Sequence, residues 1–99
     1  MSKIPLSINK EKIKRFCGKY HIVYLALFGS ILTPRFTASS DVDVLVKFDK
    51  QHIPTLFDLV DMEDELSSIM GRQVDLKTPN DLSPYFRKEV LESAAPLYE

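Results

Sequence analysis

The sequence predicts an α/β fold, and three observations support it. Residues 22–28, Ile-Val-Tyr-Leu-Ala-Leu-Phe, form a near-continuous apolar run of strand length. A second run, Val-Asp-Val-Leu-Val-Lys-Phe at 42–48, follows a polar excursion. Between it and a third short stretch at 73–77 lies a long segment whose apolar residues recur at helical spacing. Strands alternating with helical patterns indicate a sheet packed against helices. With 99 residues, 44% of them hydrophobic, the chain makes one small domain, 1–99, with enough apolar material for a core.

Residues 1–8 read as a loose lead-in. A helix is expected from Asn9 to Lys19, with Asn9 as N-cap and Gly18 near the end. Ile13, Phe16, Cys17 and Tyr20 give it one apolar side. The strand that follows is apolar almost throughout, which predicts burial on both faces. After Gly29-Ser30, Pro34 prevents a long helix, leaving space for one short turn from Ser30. The second strand spans about Val42 to Phe48. Pro54 suits the first turn of a second helix that reaches Met70 and stops at Gly71. Leu56, Leu59, Val60, Leu66, Ile69 and Met70 form its core stripe, widened by Phe57 and Met62. Gln73 to Lys77 is a third strand, and Thr78-Pro79-Asn80 a turn. Asp81 or Ser83 caps a last helix containing Tyr85 to Leu91, and Leu97-Tyr98 docks on the core.

A net charge of −1 argues against nucleic-acid binding through bulk electrostatics. The charge is uneven, however. Lys3, Lys10, Lys12, Lys14, Arg15 and Lys19 crowd the N-terminal stretch, opposed there only by Glu11. Asp58, Asp61, Glu63, Asp64 and Glu65 cluster later. These read as solvated helix faces or as docking surfaces for a partner of opposite charge. The single cysteine, Cys17, permits no intramolecular disulfide and reads as a buried structural thiol. No apolar run is long enough to span a membrane and no signal-peptide core is present, so a cytoplasmic protein is the default. His21 and His52 lack a ligand-like partner and read as surface residues. The oligomeric state is left open.

Chemistry concentrates at Asp41 and Asp43. In a strand, residues i and i+2 share a face, so two carboxylates stand side by side at the mouth of an apolar segment. Their repulsion is relieved by a cation, and oxygen-only ligands suit a hard one such as Mg²⁺ that arrives with substrate phosphates. Gly29 lets the backbone approach a ligand closely, and the Ser30 hydroxyl can contact the same phosphate. Ser40 reads as a cap of the local turn. Asp75 sits between Val74 and Leu76, where an acid has no packing rationale. Lys47 and Lys77 each share a strand face with one of these acids and are further candidates for phosphate contact.

Gly29-Ser30 followed by Ser40-Asp41-Val42-Asp43 resembles the signature of the DNA polymerase β-like nucleotidyltransferase superfamily. More narrowly, the chain resembles its minimal nucleotidyltransferases (MNT domains), small proteins that are often antitoxins partnered with HEPN-domain toxins. The resemblance continues through Val44 to Phe48, Gln73 to Leu76, and Leu82 to Leu91. It implies a small mixed sheet with helices mainly on one face. It also implies a catalytic and metal-binding triad of Asp41, Asp43 and Asp75, two Mg²⁺ ions, and ATP as substrate bound through Gly29 and Ser30. The implied reaction moves AMP to a tyrosine hydroxyl of a HEPN toxin, neutralising it. Thr33 stands where relatives usually carry a phosphate-binding arginine, and Arg35, two positions later, is the substitute candidate. An alternative is a non-catalytic antitoxin that blocks its toxin sterically. A nucleotidyltransferase for a small molecule such as an antibiotic is a weaker reading, because no second domain is present to recognise one.

Overall fold

The computed structural model describes residues 6–99, so most of the expected lead-in lies outside the described residues; 6–9 precede the first helix without regular structure. Helix α1 spans Lys10–Lys19. Its cap is Asn9, whose Oδ1 accepts the amide of Lys12 at 3.1 Å, supplying one of the partners a helix start lacks. Ile13, Phe16 and Cys17 are buried, and the Cys17 thiol, fully enclosed, is pushed up to about 12 by desolvation. That makes it the inert structural thiol expected. The reversal into the sheet falls on His21, at φ +57°, rather than on Gly18. The His21 and His52 rings are exposed as expected, but they also stack, with centroids 3.6 Å apart.

Strands β1 (Ile22–Phe28), β2 (Val42–Phe48), β3 (Val74–Lys77) and β4 (Ala95–Tyr98) form one sheet in the order β3-β2-β1-β4. β1 pairs antiparallel with β2 and with β4, while β2 and β3 are parallel. The sheet is therefore mixed, as expected. The parallel pair requires a crossover, and helix α2 (Leu56–Met70) provides it. Val42, Val44 and Val46 from β2, and Leu25 and Leu27 from β1, pack against Met62, Leu66 and Met70 of α2 and against α1. One face is thereby closed by helices. β1 is not buried throughout: Val23 is 48% exposed.

α2 departs from expectation at its start. Pro54 lies outside the helix, and Thr55 is the N-cap in a capping box with Asp58. Leu56, Phe57 and Val60 are exposed, at 76%, 82% and 54%. The core stripe is Met62, Leu66 and Met70, with Leu59 and Ile69 beside it. Gly71 ends the helix in the left-handed conformation. Helix α3 (Pro84–Ser93) is capped by Ser83 and buries no residue fully. It is held by Arg87, whose guanidinium donates to the carbonyls of Pro79 at 2.8 Å and Leu82 at 3.1 Å. Asp81 caps the preceding 3-10 turn, Pro79–Asp81, and not the helix. β4 is an addition to the expected fold: Leu97 and Tyr98 dock on the core by pairing with β1. Among the described residues no helix is long and apolar enough to cross a membrane.

Candidate active site

The site lies on the sheet face that α1 and α2 leave free. Register sets it. Asp43 pairs with Phe28 of β1 on one side and Asp75 of β3 on the other, so Phe28, Asp43 and Asp75 form one row across three strands. Asp41 stands one residue before β2, exposed. Asp43 is half-buried, and desolvation, then the neighbouring Asp75 and Asp41, hold its carboxyl above its ordinary range; Lys77 pulls the other way. Lys77 reaches Asp75, Nζ to Oδ1 3.5 Å, with both side chains substantially exposed. Among the described residues no three potential ligands converge on one point. The row is built by the backbone, while the Asp75 carboxylate is turned to Lys77.

The residues nonetheless fit a hard cation. Every donor is a carboxylate oxygen, and Asp43 feels more negative charge than Lys77 offsets; a divalent ion would relieve that excess.

Gly29 closes the row. It has φ +76°, and a Cβ there would stand 3.2 Å from Asp43 Cγ and closer still to Oδ2. Only glycine satisfies both constraints. Gly29→Ala is expected to displace the Asp43 carboxylate and strain the turn. A left-handed non-glycine residue costs about 1–2 kcal/mol, so a melting scan should show Tm lower by roughly 4–16 °C.

Gly29–Leu32 is a single 3-10 turn, with Phe28 in the cap position and no side-chain cap bond. Ser30 is therefore not the cap. Thr33 seals the turn: its hydroxyl donates to the Ser30 carbonyl at 2.8 Å and accepts the Arg35 amide at 3.2 Å. The residue at the expected arginine position thus serves the local backbone. The Arg35 side chain is exposed. Ser40 caps its turn as expected, accepting the Thr37 amide at 3.0 Å.

Two residues of this region were not legible beforehand. Arg72 donates to the carbonyls of Thr37 at 2.8 Å and Ser40 at 2.6 Å and lies over the Phe36 ring at 4.6 Å. It ties the 33–40 loop down immediately before Asp41. Glu63 accepts the Leu76 amide at 3.0 Å, satisfying a donor on the outer edge of β3 next to Asp75. An arginine following a helix stop, or one acid in an acidic cluster, carries no sequence signal for such roles. Lys47 lies over the Tyr24 ring at 4.8 Å. Four residues along β2 from Asp43, it stands about 13 Å away, which removes it from the site.

The glycine, the paired acids and the third acid on the next strand are the residues the resemblance implies for a nucleotidyltransferase, and comparison with known proteins shows the family. Residues 11–99 match the family described as Polymerase beta, Nucleotidyltransferase. The chain belongs to that family and is an enzyme of its nucleotidyltransferase class, of the minimal type. It is similar to "Putative protein adenylyltransferase MJ1379" of Methanocaldococcus jannaschii, 33% identical over 93 residues, covering 93% of this chain and 92% of that one. It is also similar to a solved "putative minimal nucleotidyltransferase", at 30% identity and TM-score 0.72, covering 88% and 87% of the two chains. A more distant match shares the fold: a solved complex of tri-AMPylated Shewanella oneidensis HEPN toxin with MNT antitoxin. There identity is 20%, TM-score 0.63, and coverage 90% of this chain and 68% of that one.

Proposed function

We propose that the chain transfers AMP from ATP to a hydroxyl of a HEPN-domain toxin and thereby acts as its antitoxin, in the cytoplasm. The observation that carries this reading is the row of Asp43 and Asp75 on adjacent strands, with Asp43 against Gly29. The name of the Methanocaldococcus relative supports protein adenylylation, and the AMPylated HEPN toxin in the Shewanella complex supports the acceptor class.

In this reading the ATP phosphates lie against Gly29, whose missing side chain admits them, and the Ser30 hydroxyl donates to a phosphate oxygen. Asp41, Asp43 and Asp75 would hold the two Mg²⁺ ions that the resemblance implies. When bound, such ions neutralise the phosphates and stabilise the entering and leaving oxygens of an in-line displacement. The acceptor hydroxyl oxygen attacks the α-phosphorus from the β3 side. The bond from that phosphorus to the oxygen bridging the α and β positions breaks, and pyrophosphate leaves. Asp75 accepts the hydroxyl proton, and Lys77 offsets the charge of that carboxylate.

Incubation with a HEPN partner and ATP radiolabelled at the α-phosphorus tests this directly: label is expected on the partner. Neutralisation at one-to-one stoichiometry without label would instead establish a steric blocker. Thr33 favours that second reading, because its hydroxyl is spent inside the turn and it cannot make the bidentate phosphate contacts of arginine. If Arg35 compensates, Arg35→Ala weakens MgATP binding by about tenfold or more, since a hydrogen bond to a charged group is worth roughly 1.5–3 kcal/mol. Unchanged affinity by calorimetry rejects the compensation.

A further inference from the structure

Asp43 and Asp75 take their places from strand pairing, and Asp41 does not. It stands one residue before β2 and is exposed. The ladders of β2 begin after it, at Val42 with β3 and at Asp43 with β1. The loop that leads into it, 33–40, is bonded mainly to itself and to the turn before it: Thr33 to Ser30, Phe36 to Thr33, and Thr37 to Ser40. Among the described residues, the hydrogen bonds that reach this loop from a distant segment all come from Arg72.

Arg72 is itself fixed. It follows Gly71, the left-handed stop of α2, and its amide donates to the Ser67 carbonyl at 3.2 Å. Two residues on, the Val74 amide donates to the Ser67 hydroxyl at 3.0 Å. The segment 71–74 is thereby pinned to the end of α2 before it enters β3. From that base it holds Asp41 on both sides. Arg72 Nη2 donates to the Ser40 carbonyl at 2.6 Å, and the Gln73 carbonyl accepts the Val42 amide at 2.8 Å. The residues before and after Asp41 are thus held by two consecutive residues of one turn, which then continues directly to Asp75. None of the ion pairs among the described residues includes Arg72. Its charge is directed at two carbonyls and the Phe36 ring, and a charged donor makes shorter, stronger hydrogen bonds than a neutral one.

We propose that Arg72 is a positioning residue for the metal site: by holding the Ser40 carbonyl it sets the Asp41 carboxylate at its distance from that of Asp43. This rests on the reading of the acids as Mg²⁺ ligands. Mg²⁺ demands near-octahedral geometry at about 2.0–2.1 Å, so a ligand on a free loop end binds it weakly. Arg72 acts through Asp41 and touches neither the ion nor the nucleotide in this role.

Calorimetry of ATP binding across a Mg²⁺ titration tests this. Arg72→Met keeps an aliphatic chain beside Phe36 but has no donor. It is expected to raise the Mg²⁺ concentration at half-maximal ATP binding by roughly ten- to a hundredfold, the cost of losing an outer partner of a metal ligand. Saturating Mg²⁺ then returns ATP affinity to within a few-fold of the parent. Arg72→Lys, which restores a charged donor, falls between the two. A double-mutant cycle separates positioning from general loosening. In an Asp41→Asn background Arg72→Met adds no further loss, because the carboxylate it positions is gone. Circular dichroism checks that each variant is folded; should Arg72→Met not fold, Arg72→Lys carries the same titration and the same cycle. An unchanged Mg²⁺ midpoint overturns the proposal. So does a loss that saturating Mg²⁺ does not recover, or one of equal size in the Asp41→Asn background. If Asp41→Asn with Asp43→Asn weakens MgATP binding while the Arg72 variants do not, only the role of Arg72 fails. If the parent binds ATP with no dependence on Mg²⁺, the metal-site reading falls and takes this one with it.

Discussion

Asp75→Asn is expected to bind MgATP within a few-fold of the parent and to transfer no detectable AMP to a HEPN partner. Asp75 lies across Asp43 from Gly29, on β3, away from the turn assigned to the phosphates. Asn keeps the size of the side chain but cannot take a proton from the acceptor hydroxyl, and loss of a positioned base alone costs about 10²–10⁴ in rate. Lys77 loses its ion-pair partner in this variant. Both side chains are substantially exposed there, so stability should hardly change. Pull-down of the complex is expected to survive, since the substitution changes one side chain and leaves its size unchanged. Labelling at the parental rate would remove Asp75 from the mechanism.

The paired variant, Asp41→Asn with Asp43→Asn, fails one step earlier. Each carboxylate contact is worth roughly 1.5–3 kcal/mol, so losing both predicts about a hundredfold weaker MgATP binding or worse. Stability moves the other way. The folded Asp43 carboxyl titrates above its unfolded value through burial and the charges of Asp75 and Asp41. Protonation therefore adds stability that is fully present below the unfolded value and is lost as pH rises through the folded one. At pH 7 the ionised Asp43 is a net cost, which Asn removes. Calorimetry should thus show weakened MgATP binding, with a Tm at pH 7 equal to or above that of the parent. If MgATP binds the double variant as tightly as the parent, the site is wrongly placed.

This opposition of function and stability is what made the acids legible in the sequence. Asp43 and Asp75 interrupt apolar strand runs where packing would not choose them, and strand alternation puts Asp41, just before the second run, on the face of Asp43. The helix cap at Asn9 and the stop at Gly71 were legible for the same reason, because capping involves neighbours in sequence. Other features had no local signal. Leu56, Phe57 and Val60 match the helical stripe as well as Leu66 does, yet they are exposed while Leu66 is fully buried. β4 contains Pro96, has no clean alternation, and becomes a strand only because β1 offers an unpaired edge. Lys47 and Lys77 looked alike, each sharing a face with an acid. Register placed one over Tyr24 and the other on Asp75.

By itself, then, the sequence determined the three helices, the first three strands, the Asn9 cap and the Gly71 stop, because each depends on residues a few positions apart. The tertiary structure alone decided that Asp75 neighbours Asp43, that Gly29 lies against the Asp43 carboxylate, that Arg72 ties down the loop before Asp41, and that α3 forms a groove with the Gly29–Leu32 turn. These contacts join segments distant along the chain. Strand order, register and burial bring them together, and those are set by the free energy of the whole core rather than by any short stretch of residues.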